Sequence, residues 1–138
     1  MIDPLAKLPG YVLRRATSAT SAELRQRLAP LDLRMTDVSI LLLIQANPGV
    51  TQSELGRMLD IKRANMTPIA AKLAERDLIA RQQVDGRSHG WALTAAGVTL
   101  MAQAQKIIST FERALVERVP TEHRAHILPV LMALWSPA

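Results

Sequence analysis

The sequence contains no cysteine and very few aromatic residues. Without cysteine, the chain cannot form disulfides or thiolate metal sites, and it cannot sense oxidants through a thiol. Only 3% of the residues are aromatic, so few side chains are available to stack on a ligand. No apolar run is long enough to cross a bilayer, and the first ten residues lack the apolar core of a signal peptide. We therefore expect a cytoplasmic protein that does not contact a membrane and needs no cofactor.

The residues that are present favour a helical domain with a polyanionic partner. The chain has 138 residues, of which 49% are hydrophobic, and its formal net charge is +5. This length suits a single domain, and the many alanines and leucines favour helices. The positive charge suits a nucleic acid, but a basic composition alone does not identify the partner.

Residues 51–97 carry the most informative pattern. Thr51 and Glu54 have the spacing of a capping box, which marks the start of a helix. One face of this helix carries an apolar repeat of Leu55, Met58 and Leu59. A tight connection at Asp60 and Ile61 leads to a second helix, predicted over residues 62–76. The apolar stripe of this second helix consists of Met66, Ile69, Ala70 and Leu73.

Two predicted strands, residues 78–84 and 90–94, follow these helices. Asp85 and Gly86 begin the connection between the strands. The order helix, turn, helix, β-hairpin is that of a winged helix-turn-helix. In such a domain the second helix enters the major groove of DNA.

The hairpin also resembles that of a known family. Residues 85–88 read DGRS, residues 92–94 read ALT, and Gly97 follows. This run is similar to the D-x-R-S…L-T-x-x-G wing of the MarR family of bacterial transcription regulators. The order of elements matches that family over nearly the whole chain. The resemblance implies a homodimer that binds double-stranded DNA and is released by a small anionic aromatic compound or by its coenzyme A thioester.

The predicted fold is mainly α with a small β-hairpin wing. We expect a single domain over residues 1–138, with a winged helix-turn-helix lobe at 34–97. The remaining helices, at 8–30 and 98–136, expose apolar stripes that one small lobe cannot cover. The resemblance assigns these helices to dimerisation.

Several local signals predict where the other helices begin and end. Pro4 and Pro9 should keep residues 1–9 irregular, and Pro30 should end the first helix. Thr36 is the expected N-cap of a very apolar helix at residues 37–46. The turn residues 47–49, with the sequence NPG, should end that helix. The expected caps of the last two helices are Thr94 and Thr121, and Pro129 should kink or split the last one.

Polar and basic residues at the start of the second helix are candidates for reading bases. Arginine and lysine pair with guanine, and asparagine pairs with adenine. The candidate DNA-contacting residues of the two helices are Gln52, Ser53, Lys62, Arg63, Asn65, Met66 and Thr67. An ordinary solvated helix face is the alternative. Because of Pro68, two starting points for this helix remain possible. The proline would bend a helix that begins at Lys62, but it would fit the first turn of a helix capped by Asn65.

The hairpin tip supplies a second group of candidates. Arg87 at the tip can enter a narrow minor groove, whose negative potential attracts a guanidinium. The family resemblance implies that Asp85 holds this guanidinium in a bidentate pair. The alternative is a surface salt bridge of little consequence. Ser88 and His89 are candidates for phosphate contacts, whereas Trp91 and Leu93 should pack the wing onto the lobe.

Other sites and functions receive less support from the sequence. The candidate ligand-binding residues are Tyr11, Arg14 and Arg15 of the first helix, although a solvated face also explains these arginines. His123 and His126 share a helix face, but no paired carboxylate lies near them in the sequence, so we expect no metal. No nucleophile–base pair or phosphate loop is visible, which argues against an enzyme. A winged-helix protein-interaction adaptor without specific DNA binding remains the alternative function.

Overall fold

The computed structural model describes residues 1–136. It consists of α-helices and one antiparallel hairpin, in the order α1 (Pro9–Leu28), α2 (Met35–Ala46), α3 (Gln52–Leu59), α4 (Arg63–Glu75), β1 (Ile79–Gln83), β2 (His89–Leu93), α5 (Ala95–Glu117) and α6 (Ile127–Trp135). Short 3-10 turns lie at Leu5–Lys7, Ala29–Leu31 and Thr121–His126. The chain divides into two compact units, Met1–Ala104 and Gln105–Ala138, and the boundary falls within α5.

The core of the first unit forms around α2. This helix buries Val38, Ile40, Leu41 and Ile44, as expected from its apolar sequence. Side chains from the surrounding segments that are also fully buried are Leu28, Leu55, Met66, Leu73 and Met101. These residues come from α1, α3, α4 and α5, so each of those helices contributes an apolar face to the same unit.

A capping box begins α3. The Thr51 hydroxyl accepts the Glu54 N–H at 3.2 Å, and the Glu54 carboxylate accepts the Thr51 N–H at 2.8 Å. This confirms the predicted capping box, and its hydrogen bonds lower the pKa of Glu54.

The turn between α3 and α4 is tight. Asp60 ends α3 with a left-handed φ of 53°. The Ile61 N–H then donates to the Gly56 carbonyl at 2.8 Å, so α4 starts almost at once.

The hairpin is anchored beside the start of α3. Strands β1 and β2 pair with Arg81 opposite Trp91 and Gln83 opposite His89. Val50 adds a bridge to Trp91, whose N–H donates to the Val50 carbonyl at 2.8 Å. A Cβ at Gly90 would lie 1.9 Å from the Gly49 carbonyl oxygen, so this close approach requires glycine. The wing is therefore fixed at its base to the segment that leads into α3.

The L-T-x-x-G motif joins the hairpin to α5. The Thr94 hydroxyl accepts the Gly97 N–H at 2.9 Å and donates to the Asp77 carbonyl, so Thr94 caps α5 as predicted. The Thr94 N–H also donates to the Leu78 carbonyl at 3.1 Å. At Gly97 a Cβ would lie 2.1 Å from that same carbonyl oxygen. These contacts hold the start of α5 against the residues that follow α4.

Arg76 makes a second connection at the end of α4. Its guanidinium donates to the Asp32 carbonyl at 2.6 Å and to the Leu31 carbonyl at 3.1 Å. Asp32 itself has a left-handed φ of 50°, which turns the chain between α1 and α2. A single side chain therefore links the end of α4 to the α1–α2 connection.

Several predictions about helix ends were wrong. Pro9 does not interrupt α1 but occupies its first position, where the missing N–H costs no hydrogen bond. Arg34 rather than Thr36 is the N-cap of α2, and its N–H donates to the Asp37 carboxylate at 2.9 Å. Thr121 likewise is no cap, because it begins a 3-10 turn after Pro120. The predicted split at Pro129 is confirmed, because the segment consists of the 3-10 turn Thr121–His126 and the separate helix α6, whose first turn contains Pro129.

The second unit contains the end of α5, a turn and α6. Phe111 is its buried aromatic residue. The Arg124 side chain donates to the carbonyls of Val119 and Glu117 at 2.9 and 3.0 Å, which fixes the turn before α6. None of the helices in residues 1–136 combines the length and the apolar character that crossing a membrane requires.

Candidate nucleic-acid interface

The start of α4 presents a group of exposed polar side chains. Lys62 is the N-cap of the helix, with extended backbone, and Arg63 is its first residue. Lys62, Arg63 and Asn65 are all exposed. The first N–H groups of a helix have no partners within the helix, so this end also carries partial positive charge. The combination suits the edge of a base or a phosphate.

Met66 does not belong to this group. Its side chain is 1% exposed, and with Ala70 and Leu73 it forms the buried face of α4. The proposed role of Met66 in DNA contact was therefore wrong. The helical spacing of Met66, Ala70 and Leu73 is what directs this side chain inward.

Pro68 lies inside α4. Because α4 begins at Arg63, the alternative start with Asn65 as N-cap was wrong. The proline removes the hydrogen bond that residue 68 would donate to the Ala64 carbonyl. Both Ala64 and Pro68 are exposed, so water can reach that carbonyl. The Thr67 hydroxyl donates to the Arg63 carbonyl at 3.0 Å and adds a bond to the same turn.

A direct hydrogen bond joins candidate residues from the two helices. The Gln52 side-chain amide donates to the Thr67 hydroxyl at 3.0 Å. Gln52 is half-buried, whereas Ser53 beside it is exposed. The bond connects the first residue of α3 with the exposed face of α4, so these two side chains position each other.

At the wing tip, the Asp85 carboxylate bonds to backbone rather than to a guanidinium. Its Oδ1 accepts the N–H groups of Arg87 and Ser88 at 2.9 and 2.8 Å. These bonds lower the pKa of Asp85. The expected bidentate pair with the Arg87 side chain is absent from the ion pairs of residues 1–136. Asp85 therefore shapes the turn, and this turn leaves the Arg87 side chain exposed.

The remaining wing candidates are also on the surface. Ser88 and His89 are exposed, and His89 is the first residue of β2 rather than part of the loop. Trp91 is only 5% exposed, which confirms that it packs into the lobe. The wing thus offers a charged tip on an apolar base.

A cleft of about 630 Å³ opens between the two helices and the first strand. Its lining contains four basic side chains and one acidic one, which are Arg57, Lys62, Arg63, Arg81 and Asp60. The guanidinium of Arg81 lies over the Trp91 ring, 4.8 Å from the ring centroid. Sequence reasoning missed Arg57 and Arg81. Arg57 lies four residues after Ser53 on α3, so helical spacing could have placed it on this side, whereas Arg81 depends on the strand register.

The candidate ligand residues lie on α1. Arg14 approaches the Tyr11 ring at 6.0 Å from its centroid, because the two residues are three apart on the helix. Arg14 and Arg15 are exposed, and Tyr11 is half-buried. His123 and His126 are exposed on the 3-10 turn before α6. Nowhere in residues 1–136 do three or more histidine or carboxylate side chains converge as metal ligands would.

Comparison with known proteins supports the same architecture. The model of the MarR family matches residues 33–89. A structure of the transcriptional repressor CouR bound to a 23-mer DNA duplex is 33% identical, with 97% of this chain and 96% of that chain covered and a TM-score of 0.88. CouR bound to p-coumaroyl-CoA is 29% identical, with 100% and 99% covered and a TM-score of 0.87.

A curated relative from Thauera aromatica is named as a regulatory protein for the hcr operon. It is 26% identical over 98 residues, which cover 70% of this chain and 59% of the relative. The match thus spans about three fifths of that relative's length. The predicted family and the mainly α fold with a hairpin wing are confirmed: the chain belongs to the MarR family of transcriptional regulators.

Proposed function

We propose that this protein is a ligand-responsive repressor that binds a pseudo-palindromic DNA site as a homodimer and catalyses no reaction. The observation that carries the proposal is the exposed polar start of α4 beside a basic cleft, within a winged helix-turn-helix. In this arrangement α4 is the recognition helix and enters the major groove. The DNA complex of CouR, at 33% identity, supports the proposal.

Each exposed group has a separate role in this proposal. Arg63 and Lys62 contact guanine, and Asn65 contacts adenine. Contacts to phosphate come from Ser53 and Gln52 at the start of α3, where backbone N–H groups also point outward. Arg87 enters the minor groove from the wing tip, with Ser88 and His89 against the sugar–phosphate backbone. Thr67 supports Gln52 through their hydrogen bond.

A homodimer accounts for exposed apolar side chains in both units. In the first unit these are Leu5, Leu8, Val12 and Leu13, and in the second Leu128, Val130, Leu131, Met132, Leu134 and Trp135. Large apolar surfaces of this kind mark interaction sites in soluble proteins. We assign residues 8–30 and 98–136 to the dimer and residues 34–97 to DNA binding. Twofold symmetry then places the two recognition helices about 34 Å apart, one turn of DNA.

The proposed effector is a small anionic aromatic acid or its coenzyme A thioester. CouR, 29% identical to this chain, has been solved with p-coumaroyl-CoA. In this chain the Tyr11 ring and the guanidinium groups of Arg14 and Arg15 offer an aromatic surface and positive charge on α1. The protein has one conformation that binds DNA and another that does not. Release from DNA requires that the effector has the higher affinity for the second conformation.

Fluorescence anisotropy with a duplex from the region upstream of the protein's own gene tests DNA binding. We expect tighter binding to this duplex than to an unrelated duplex of equal length. The logarithm of the binding constant should also fall steeply and linearly with the logarithm of salt concentration. Equal affinity for both duplexes, or no binding at low salt, would refute the proposal and favour the adaptor function.

The same assay tests the effector. Adding p-coumaroyl-CoA, p-coumarate or coenzyme A separately shows which part of the compound matters. We expect the thioester or the free acid to lower DNA affinity and to raise the melting temperature of the free protein. If all three leave both quantities unchanged, the proposed effector class is wrong.

A further inference from the structure

We infer that the cleft between α3, α4 and β1 holds a phosphate of the DNA backbone, and that Arg81 is its principal contact. This inference rests on the proposed function, because it assumes that α4 and the wing both engage DNA. It adds Arg81 as a contact, Arg57 as a supporting charge and Trp91 as a residue that positions Arg81.

The geometry of DNA requires a backbone strand to pass near this cleft. A recognition helix in the major groove and a wing tip in the minor groove occupy adjacent grooves. One sugar–phosphate strand separates any two adjacent grooves. This strand must run between α4 and the wing, and the lining of the cleft includes the start of α4 and Arg81 near the base of the wing.

The charge of the cleft suits a phosphodiester. Arg57, Lys62, Arg63 and Arg81 line it against the single carboxylate of Asp60. Lys62 and Arg63 lie at the start of the recognition helix and are assigned to bases, whereas Arg57 and Arg81 come from α3 and β1. A phosphodiester carries one negative charge, and arginine can bind it through two parallel N–H groups. Neighbouring Arg57 adds a second positive charge.

The stack on Trp91 distinguishes Arg81 from an ordinary surface arginine. The guanidinium lies 4.8 Å from the centre of the Trp91 ring. Trp91 is 5% exposed and pairs directly with Arg81 across the hairpin, so the ring is a fixed platform. Stacking restrains the long side chain while its N–H groups remain available at the edge of the guanidinium. Less conformational entropy is then lost when phosphate binds.

Arg81→Gln tests the assignment by removing one charge from each protomer. We expect affinity for the upstream duplex and for an unrelated duplex to fall by a similar factor, at least about tenfold. The slope of log binding constant against log salt should become less steep by about two per dimer, because each protomer loses one phosphate contact. The matched control is Lys7→Gln, an exposed cation that does not line the cleft and lies outside the residues assigned to the dimer and to DNA binding. That control should leave the slope unchanged.

A double-mutant cycle tests the positioning role of Trp91. Trp91→Leu removes the aromatic platform, and we expect it to weaken DNA binding in the native chain but not in the Arg81→Gln background. Trp91→Phe keeps a ring and should retain most of the affinity. Melting curves verify that each variant is folded. If Trp91→Leu does not fold, the same cycle is run with Trp91→Phe, whose smaller loss should also disappear in the Arg81→Gln background. Equal losses in both backgrounds would overturn the positioning role.

The outcomes separate this inference from the proposed function. If the native protein binds its upstream duplex and Arg81→Gln binds it with the same affinity and slope, only the inference fails. A loss confined to the upstream duplex would identify a base contact and overturn the phosphate assignment. Failure of the native protein to bind any duplex would overturn both.

Discussion

The two ends of the recognition helix differ in what their side chains contact. At the first end, Lys62, Arg63 and Asn65 are exposed around the unsatisfied N–H groups of α4. At the other end, the Arg76 guanidinium is bonded to the carbonyls of Leu31 and Asp32. The residues that follow, 77 and 78, accept hydrogen bonds from Thr94 at the start of α5.

We expect this difference to separate contact with DNA bases from positioning of the helix. The side chains of Lys62, Arg63 and Asn65 are exposed, so we expect them to add little to stability and to be available to DNA. The second end fixes the direction of α4 through contacts with the α1–α2 connection and with α5. Changes at the first end should therefore alter DNA binding alone, and changes at the second end should alter stability as well.

Gly97→Ala should produce the largest effect. Its new Cβ would lie 2.1 Å from the Leu78 carbonyl oxygen, a backbone atom that also accepts the Thr94 N–H. We expect the free energy of unfolding to fall by about 3 kcal/mol. Urea denaturation followed by circular dichroism measures this change. Gly86→Ala is the control, since nothing lies within 4 Å of a Cβ there, and equal losses at both glycines would contradict the account.

Arg63→Ala should have the next largest effect, and on binding only. Loss of a base contact lowers affinity for the upstream duplex by about 2 kcal/mol per contact and relaxes discrimination at one base pair in each half-site. The free energy of unfolding should not change, because the side chain is exposed. Anisotropy titrations against single-substitution duplexes measure both effects. A destabilised variant would show that the two ends of α4 are not distinct.

Arg76→Met tests the second end of α4 with a smaller expected loss of stability than Gly97→Ala. Methionine keeps an apolar stem but cannot donate to Leu31 and Asp32, so we expect a loss of about 1.5 kcal/mol in stability. DNA affinity should fall as well, because the direction of α4 is less fixed. Lys72→Met removes an exposed cation from the same helix and serves as the control. If Arg76→Met binds DNA with native affinity, this anchor does not position the helix.

The smallest effect is expected at the wing tip. Asp85→Ala removes the acceptor for two backbone N–H groups and should lower DNA affinity roughly two- to fivefold at pH 7. Asp85→Asn keeps an oxygen acceptor, so its affinity should stay close to native. If both variants lose affinity equally, the negative charge matters, and Asp85 orients the Arg87 guanidinium on DNA after all.

The lowered pKa of Asp85 gives this wing contact a definite pH dependence. Because the folded-state pKa lies below its ordinary value, the ordering of the turn is fully present above that ordinary value. It is lost as the pH falls through the lowered folded-state pKa. Wing order, followed by amide signals of Arg87 and Ser88 in NMR spectra, should therefore be constant from pH 8 to about pH 5. Loss of order within that range would contradict the proposed bonds.

Features set by neighbouring residues could be predicted from the sequence. The capping box at Thr51 and Glu54 and the Thr94 cap each depend on residues three positions apart. The burial of Met66 could also be predicted. Its place in the apolar stripe of α4 indicates a buried side chain, which cannot contact DNA. The turn at Asp85 could also be predicted, since an aspartate carboxylate commonly accepts the backbone N–H two residues ahead.

Features that depend on distant residues could not be predicted in the same way. Arg76 contacts carbonyls 44 and 45 positions earlier in the chain, which no local pattern indicates. The Arg81–Trp91 stack follows from the strand register, which the sequence pattern did not predict. The predicted strands, 78–84 and 90–94, also differ from the observed Ile79–Gln83 and His89–Leu93 at both ends. Met58 was placed in the apolar repeat of α3 but is 70% exposed, and Leu55 is the buried residue of that helix.

Amide hydrogen exchange of the full chain, with and without the upstream duplex, tests the division of α4 most directly. We predict that DNA slows exchange at residues 62–67 and at the wing tip, 85–88, and leaves exchange unchanged at residues 73–78, whose amides are hydrogen-bonded within the free chain. Exchange that slows at residues 73–78 and not at residues 62–67 would contradict the account, because DNA would then contact the end of the helix that is bonded to the scaffold.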